Sequence, residues 1–247
     1  FILVYIRMMR VNGNFDVNGI DFEDWFNSFR AKLPSVFPYF IVKANFRTWI
    51  KNISALSGKP DVSLAEFVAH FAICYNETGG TFCPIREYGG SAYFFNNVTL
   101  SSGQIKPTYN RFPNRLAGNQ LKARGVISTD YDVSIWNGSV YPESAPNSVK
   151  LEAENCDYHK FAGYGFNQLT WYDNFRRCLE PHLPKPLDSY TTLELNKLIV
   201  GNNEIACKAY HSFISQNRNA QWAIAEAEKA NFVPYGNIVS SDWAWYV

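Results

Sequence analysis

Two glutamates, Glu77 and Glu87, lie ten residues apart in the stretch CYNETGGTFCPIREYGG, with Gly79 and Gly80 between them. An apolar, helix-like run ends at Glu77, and the two glycines allow the chain to turn back. Two carboxyl groups that face one reacting bond can divide acid–base work, since one protonates the leaving group while the other takes a proton from water. Each glutamate alone is also compatible with a role without chemistry: Glu77 could be a solvated helix end, and Glu87 could be an ionic partner of Arg86.

A second polar stretch, GYGFNQLTW, begins at Gly163. Gly163 and Gly165 flank Tyr164 and allow close approach of the backbone to another group. Gln168 and Thr170 then place an amide and a hydroxyl just before a helix-like run, and such groups can line a polar cleft. The stretch is not a dinucleotide-binding fingerprint, because the third glycine and a preceding apolar strand are both missing.

The two stretches together resemble glycoside hydrolase family 19, which contains chitinases and phage-type endolysins of the lysozyme-like superfamily. NETGGTFCPIRE is similar to the family segment H-E-[ST]-G-G/H-F, which precedes a second Glu about nine residues after the first. GYGFNQLTWYDNF is similar to G-R-G-x-x-Q-L-[ST]-x-x-x-N-Y, and its ending DNF is closest to the lysins of bacteria and phages. The resemblance covers residues 63–90 and 160–178.

The resemblance implies that Glu77 is a general acid, that Glu87 is a general base, and that Thr170 helps to hold the attacking water. An inverting mechanism of this kind needs about 6.5–9.5 Å between the two carboxyl groups. Neither a metal nor an organic cofactor is implied. The residues implied to bind the sugar or to shape the cleft are Gln168, Asn174, Tyr164, Gly163 and Gly165.

Three positions depart from the family pattern. Asn76 stands where the family usually has His, Tyr164 stands where it usually has Arg, and Thr81 adds one residue between the glutamates. Residues 91–160 are also unlike a minimal chitinase and are predicted to form a long irregular or small-β insertion, because glycine, asparagine, serine and proline are frequent and helical periodicity is poor there.

The function expected from these motifs is hydrolysis of β-1,4 bonds in an amino-sugar polymer. Peptidoglycan is the preferred substrate because of the lysin-like DNF, which indicates a phage lysin, a virion component or a bacterial cell-wall enzyme. Chitin is the second candidate. A third candidate is a structural or carbohydrate-binding virion protein on the same fold with weak turnover, favoured by Asn76, Tyr164 and the insertion.

The elements that must position these residues are mainly helices. Apolar residues at steps of three and four predict a helix over Asp21–Leu33, stopped by Pro34, and a weaker helix over about 43–56. SLAEFVAHFAICYN predicts a buried helix with Ser63 as its N-cap and an end at Gly79–Gly80. Further helical patterns cover about 169–180, 191–200, 203–216 and 219–230.

We therefore expect a mainly α domain, and the resemblance implies that it is lysozyme-like and bilobal, with a catalytic cleft. No repeat or linker is evident, so residues 1–247 are predicted to form a single catalytic domain. Its expected portions are an N-terminal helical part over 1–60, the motifs and insertion over 61–180, and C-terminal helices over 181–247.

Composition limits the partners that this chain can have. Its net charge of +1 gives no electrostatic footprint for nucleic acid, and no apolar run reaches the length of a membrane span. Aromatic residues make up 17% of the chain, which suits a core and also suits stacking on sugar rings. The four scattered histidines and the five cysteines without a close CxxC pair are not typical of a metal site.

The two ends of the sequence receive separate interpretations. FILVYIRMMR is apolar and then basic, the reverse of a signal peptide's order, so we expect no signal peptide here. We interpret this segment as the interior of a longer or processed chain, or as a docked terminal segment through which a virion or another assembly could bind. The C-terminal DWAWYV is interpreted as a docked segment rather than a sugar platform.

Overall fold

The computed structural model describes residues 8–10, 16–17, 19–32, 42–56, 61–99, 103, 105–106 and 108–217. Helices dominate this part of the chain, so the prediction of a mainly α-helical fold is confirmed. The chain divides into two compact units. The first comprises Phe1–Ile85, Gly165–Asn167 and Gly201–Val247, and the second comprises Arg86–Tyr164 and Gln168–Val200.

The described elements are numbered in chain order. The helices are α1 (Phe22–Lys32), α2 (Lys43–Leu56), α3 (Leu64–Glu77), α4 (Ser91–Phe95), α5 (Ala117–Ala123), α6 (Asp130–Trp136), α7 (Asn147–Ala153), α8 (Asp157–Lys160), α9 (Tyr172–Asn174), α10 (Thr192–Ile199) and α11 (Asn203–Asn217). The strands form antiparallel pairs: β1 (Met8–Arg10) with β4 (Asp61–Ser63), β2 (Asp16–Val17) with β3 (Ile20–Asp21), and β5 (Val98–Thr99) with β6 (Ile105–Lys106). None of the described helices is long and apolar enough to cross a membrane.

The core of the first unit is a cluster of buried aromatic rings from α1, α2 and α3. Phe46 on α2 is fully buried, and its ring centroid lies 5.7 Å from that of Trp49 and 4.8 Å from that of Phe82. Phe71 on α3 meets the same ring edge-on at 5.8 Å. Because large aromatic side chains bury much apolar surface, this cluster stabilises the helix that carries Glu77.

The predictions for α1, α2 and α3 are confirmed, since the helices span Phe22–Lys32, Lys43–Leu56 and Leu64–Glu77. Leu33 and Pro34 lie outside the described residues. Gly79 and Gly80 follow α3 with φ of 58° and 77°, a left-handed conformation that glycine adopts at little cost.

The second unit is built around α4 and the segment that follows it. Phe95 on α4 is fully buried, and its ring meets Trp136, Tyr141 and Tyr158 edge-on, with centroids 5.8, 5.6 and 5.0 Å away. Edge-to-face packing of this kind is the favoured arrangement of aromatic pairs.

The prediction for residues 91–160 was only partly right. One small antiparallel pair, β5 with β6, is present, but the stretch also contains the short helices α4 to α8, which are separated by turns and irregular chain. Helices of seven residues are too short to show a clear apolar period, and they are stabilised by packing and by caps. At the start of α6, for example, Thr129 Oγ1 accepts a hydrogen bond of 3.0 Å from the backbone N–H of Asp132.

The helical patterns predicted after residue 165 have three outcomes. The patterns over 191–200 and 203–216 match α10 and α11. The pattern over 169–180 is interrupted: α9 leads into a π-helical segment, Phe175–Leu179, and then into a 3-10 turn. The predicted helix at 219–230, most of the N-terminal segment and the C-terminal DWAWYV lie outside the described residues.

The five cysteines carry thiols rather than disulfides. Burial raises the pKa of Cys74 well above its usual value, and it raises the pKa of Cys156 to about 12. Cys83 is only half-buried. Because the thiolate is the reactive form, a thiol reagent at pH 8 is expected to modify Cys83 before the four buried thiols, those of Cys74, Cys156, Cys178 and Cys207.

Titration with a chromogenic disulfide reagent checks this. We expect five thiols per chain after denaturation without reductant, and a fast native phase that Cys83→Ser removes. A denatured count of one or three would show that disulfides form in the isolated protein.

Candidate functional site

Glu77 is the last residue of α3, in the first unit, and its side chain is half-buried. The turn after it is braced by Thr78, whose hydroxyl donates to the carbonyl of Cys74 at 2.6 Å and accepts from the N–H of Phe82 at 3.0 Å. The N–H of Gly80 also donates to the carbonyl of Tyr75 at 2.7 Å. The backbone that carries Glu77 is therefore fixed on both sides, by helix and by turn.

Glu87 lies in the second unit, where its carboxylate accepts two hydrogen bonds on Oε2. The Tyr109 hydroxyl donates at 2.7 Å and the backbone N–H of Gly163 donates at 3.1 Å. The N–H of Glu87 in turn donates to the carbonyl of Gly163 at 2.6 Å. The second glutamate and the glycine-rich motif, far apart in sequence, thus meet at one point of this unit.

Tyr109 was not among the residues predicted from the sequence. Burial, and then its hydrogen bond to Glu87, raise the pKa of Tyr109 above its usual value, so the phenol stays protonated and remains a donor. Its ring packs against Trp171 with centroids 4.6 Å apart. Its contact with Glu87 depends on long-range packing, and the residues around it match no motif.

Arg86 supplies positive charge beside Glu87, as the sequence suggested, but its hydrogen bond goes elsewhere. The guanidinium donates to the carbonyl of His159 and lies 5.0 Å from the ring centroid of Phe94. Burial lowers the pKa of Arg86, while Glu87 opposes that shift. Burial, and next the charge of Arg86, lower the pKa of His159 to about 4, so this histidine is neutral at pH 7.

Gly163 is the point where the side chains of Glu87 and Gln168 come together. A Cβ atom at Gly163 would lie 2.4 Å from Oε1 of Gln168 and 3.0 Å from Oε2 of Glu87. Both distances are shorter than van der Waals contact, so only glycine permits this arrangement. The close approach that the sequence predicted at Gly163 brings together two side chains that were themselves predicted to belong to the site.

Gly163→Ala is therefore expected to displace the Gln168 amide and to disturb the Glu87 carboxylate while the unit stays folded. The atoms that would clash are the ends of side chains, which can move at a small cost in stability. Two-dimensional NMR should show shifts centred on these side chains, with a small change in Tm. Gly90→Ala is the control, because a Cβ at Gly90 meets nothing within 4 Å. If Gly163→Ala shifted the Glu87 and Gln168 signals no more than Gly90→Ala does, the predicted close contact would be contradicted.

Thr170 lies between two residues with positive φ. Gln168 has φ of 47° and Trp171 has φ of 76°, values that are uncommon for residues other than glycine. Leu169 exchanges hydrogen bonds with Tyr164, at 2.8 and 3.0 Å, and closes this segment into a turn. Strained backbone persists where the surrounding structure holds it, and it clusters at binding and catalytic sites.

The other predicted residues have internal contacts. Asn174 donates from Nδ2 to the carbonyl of Thr170 at 2.9 Å, which steadies the residue predicted to hold a water. Tyr164 is 1% exposed, and its hydroxyl donates to the carbonyl of Ile199 at 2.7 Å. Its side chain therefore packs inside the second unit. Gly165, in the first unit, donates from its N–H to the carbonyl of Ile85 at 3.0 Å.

In the part of the chain that the structure describes, no three His, Cys, Asp or Glu side chains are grouped so that they could hold a metal ion. Comparison of the chain with family models, with curated proteins and with solved structures finds no match.

Proposed function

We propose that this chain is a glycoside hydrolase on a lysozyme-like fold, which cleaves β-1,4 bonds of an amino-sugar polymer. The observation that carries the proposal is the Glu87 carboxylate, held on Oε2 by the Tyr109 hydroxyl and the Gly163 N–H. A carboxylate oriented by two donors, next to a side-chain amide and a strained turn, is suited to take a proton from a water molecule.

In this mechanism Glu87 is the general base. The two hydrogen bonds on Oε2 restrict the rotation of its carboxylate. The base removes a proton from water as the water attacks the anomeric carbon, and Thr170 helps to hold that water. Asn174 supports the turn through its bond to the Thr170 carbonyl.

Glu77 is assigned the role of general acid, which protonates the glycosidic oxygen as the bond breaks. The rigid end of α3 suits this role, because a proton donor must keep its position relative to the leaving oxygen. The assignment rests on the motif resemblance at Glu77, and the braced turn at Thr78 agrees with it.

Peptidoglycan is the proposed substrate, and chitin is the alternative polymer. A carbohydrate-binding or structural virion protein with weak turnover is the second candidate function. The observation that favours it is Tyr164, which stands where the family has Arg and whose hydroxyl is bonded to Ile199 inside the unit. In that case Glu87 and Gln168 would bind sugar hydroxyls without catalysing hydrolysis.

Product analysis tests the proposal. Purified protein is incubated with peptidoglycan and with chitin oligomers, the products are identified by mass spectrometry, and the first anomer is observed by NMR before mutarotation. A water-mediated single displacement on a β-linked substrate should give the α-anomer first. A β-anomer would contradict the role of Glu87 as a base acting on water. Binding without product from either polymer would favour the second candidate.

A further inference from the structure

The exposed guanidinium of Arg111 lies against an aromatic ring and makes no ion pair within the described part of the chain. Its central carbon lies 4.1 Å from the centroid of the Trp171 ring and 5.6 Å from that of Phe112. Arginine that stacks on an indole keeps its N–H groups at the edge of the guanidinium plane, where they can bind an anion.

The backbone next to Arg111 is firmly anchored. Asn110 is 5% exposed, and its Nδ2 donates to the carbonyls of Trp136 and Gly138 at 2.9 and 3.2 Å. Its Oδ1 accepts from the N–H of Ala117 at 2.8 Å. An asparagine with these three bonds fixes its own position, so it also fixes where the chain presents Arg111.

A continuous set of contacts connects Arg111 to Glu87. The guanidinium packs on the Trp171 ring, whose centroid lies 4.6 Å from that of the Tyr109 ring. The Tyr109 hydroxyl in turn donates a hydrogen bond to the Glu87 carboxylate. Trp171 also directly follows Thr170 in the chain. A positive charge is therefore connected to the proposed base through two aromatic side chains, Trp171 and Tyr109.

We propose that Arg111 binds the carboxylate substituent of an acidic amino sugar placed next to Glu87, and so makes the site prefer sugars of the muramic acid type to neutral ones. This inference rests on the proposed function, because it assigns the sugar that Glu87 would act on. A planar guanidinium matches a carboxylate in a paired, two-bond geometry. The stack on Trp171 restricts the guanidinium in advance, which reduces the entropy lost on binding.

Binding measurements with three matched ligands test this. The ligands are the disaccharide of N-acetylglucosamine and N-acetylmuramic acid, the methyl ester of its lactyl group, and diacetylchitobiose. The Glu77→Gln protein serves as host, so that hydrolysis does not disturb the measurement, and dissociation constants are obtained by NMR titration. The acid is expected to bind about five- to tenfold more tightly than its ester, as for a partly exposed Arg–carboxylate pair.

Arg111→Gln is expected to remove the preference for the acid and to leave the binding of ester and chitobiose unchanged. Arg111→Lys should restore part of it, since the charge returns without the planar fork. Arg176→Gln is the matched control, because Arg176 is an exposed arginine of the same unit on the π-helical segment. Circular dichroism and Tm verify that each variant is folded.

The outcomes separate this inference from the proposed function. If the acid is preferred through Arg111 but the unmodified protein hydrolyses neither polymer, the role of Arg111 is supported and the proposed enzymatic function is overturned. Hydrolysis of either polymer together with equal effects of Arg111→Gln on all three ligands would support the enzyme and overturn Arg111. If none of the three ligands binds, the role of Arg111 is overturned.

Discussion

Glu87→Gln is expected to lower the rate of glycan hydrolysis by about 10²–10⁴-fold while the second unit stays folded. Glutamine keeps the shape of the side chain, and its amide oxygen can still accept from the Tyr109 hydroxyl. It cannot take a proton from water, so the loss belongs to the chemical step. The measurement is kcat on soluble peptidoglycan fragments or chitin oligomers, with KM followed separately.

The control for this variant is Glu143→Gln. Glu143 is an exposed glutamate of the same unit, and the same change in charge there should leave kcat unaltered. A Glu87→Gln protein with the Tm and the rate of the unmodified chain would remove Glu87 from the mechanism. A loss confined to KM would show that Glu87 binds sugar but does not act as a base.

The long helices of the first unit could be predicted because each one is long enough to show an apolar pattern over three or more turns. Phe22, Trp25 and Phe26 on α1 show that pattern, and all three are buried in the structure. The end of α3 could also be predicted, since Gly79 and Gly80 adopt the left-handed conformation that ends a helix.

The helices of the second unit could not be predicted in the same way. Helix α5 and helix α6 each span seven residues, so their apolar positions repeat too few times to be distinguished from a loop. They hold together through side chains that are distant in sequence, such as Asn110, which bonds the carbonyl of Trp136. Contacts of this kind arise from tertiary packing, which overrides weak local preference.

The residues of the candidate site show the same difference between local sequence patterns, which could be predicted, and tertiary contacts, which could not. Glu87, Gly163 and Gln168 were identified from motif spacing, and in the structure all three lie together. Tyr109 was missed because its role depends on a contact across 22 residues, with no signature at either end. The burial of Tyr164 was also unpredictable, because a tyrosine between two glycines can face either a ligand or the core.

Glu77→Gln is expected to cause a loss of about 10²–10⁴-fold on natural glycan, with a pattern that separates the acid from the base. The acid is needed because a sugar hydroxyl is a poor leaving group unless it is protonated. The leaving group of a dinitrophenyl glycoside is dinitrophenolate, which departs without that help because it is a weak base. The Glu77→Gln protein should therefore recover most of its activity on the dinitrophenyl substrate.

Glu87→Gln should remain slow on both substrates, because attack of water still needs a base when the leaving group is activated. Asp24→Asn, an exposed carboxylate-to-amide change on α1, is the control and should affect neither rate. If Glu77→Gln were slow on both substrates and Glu87→Gln slow only on natural glycan, the two roles would have to be exchanged. Full activity of Glu77→Gln on natural glycan would leave the chain without its proposed acid, since a leaving group of high pKa departs slowly unless it is protonated.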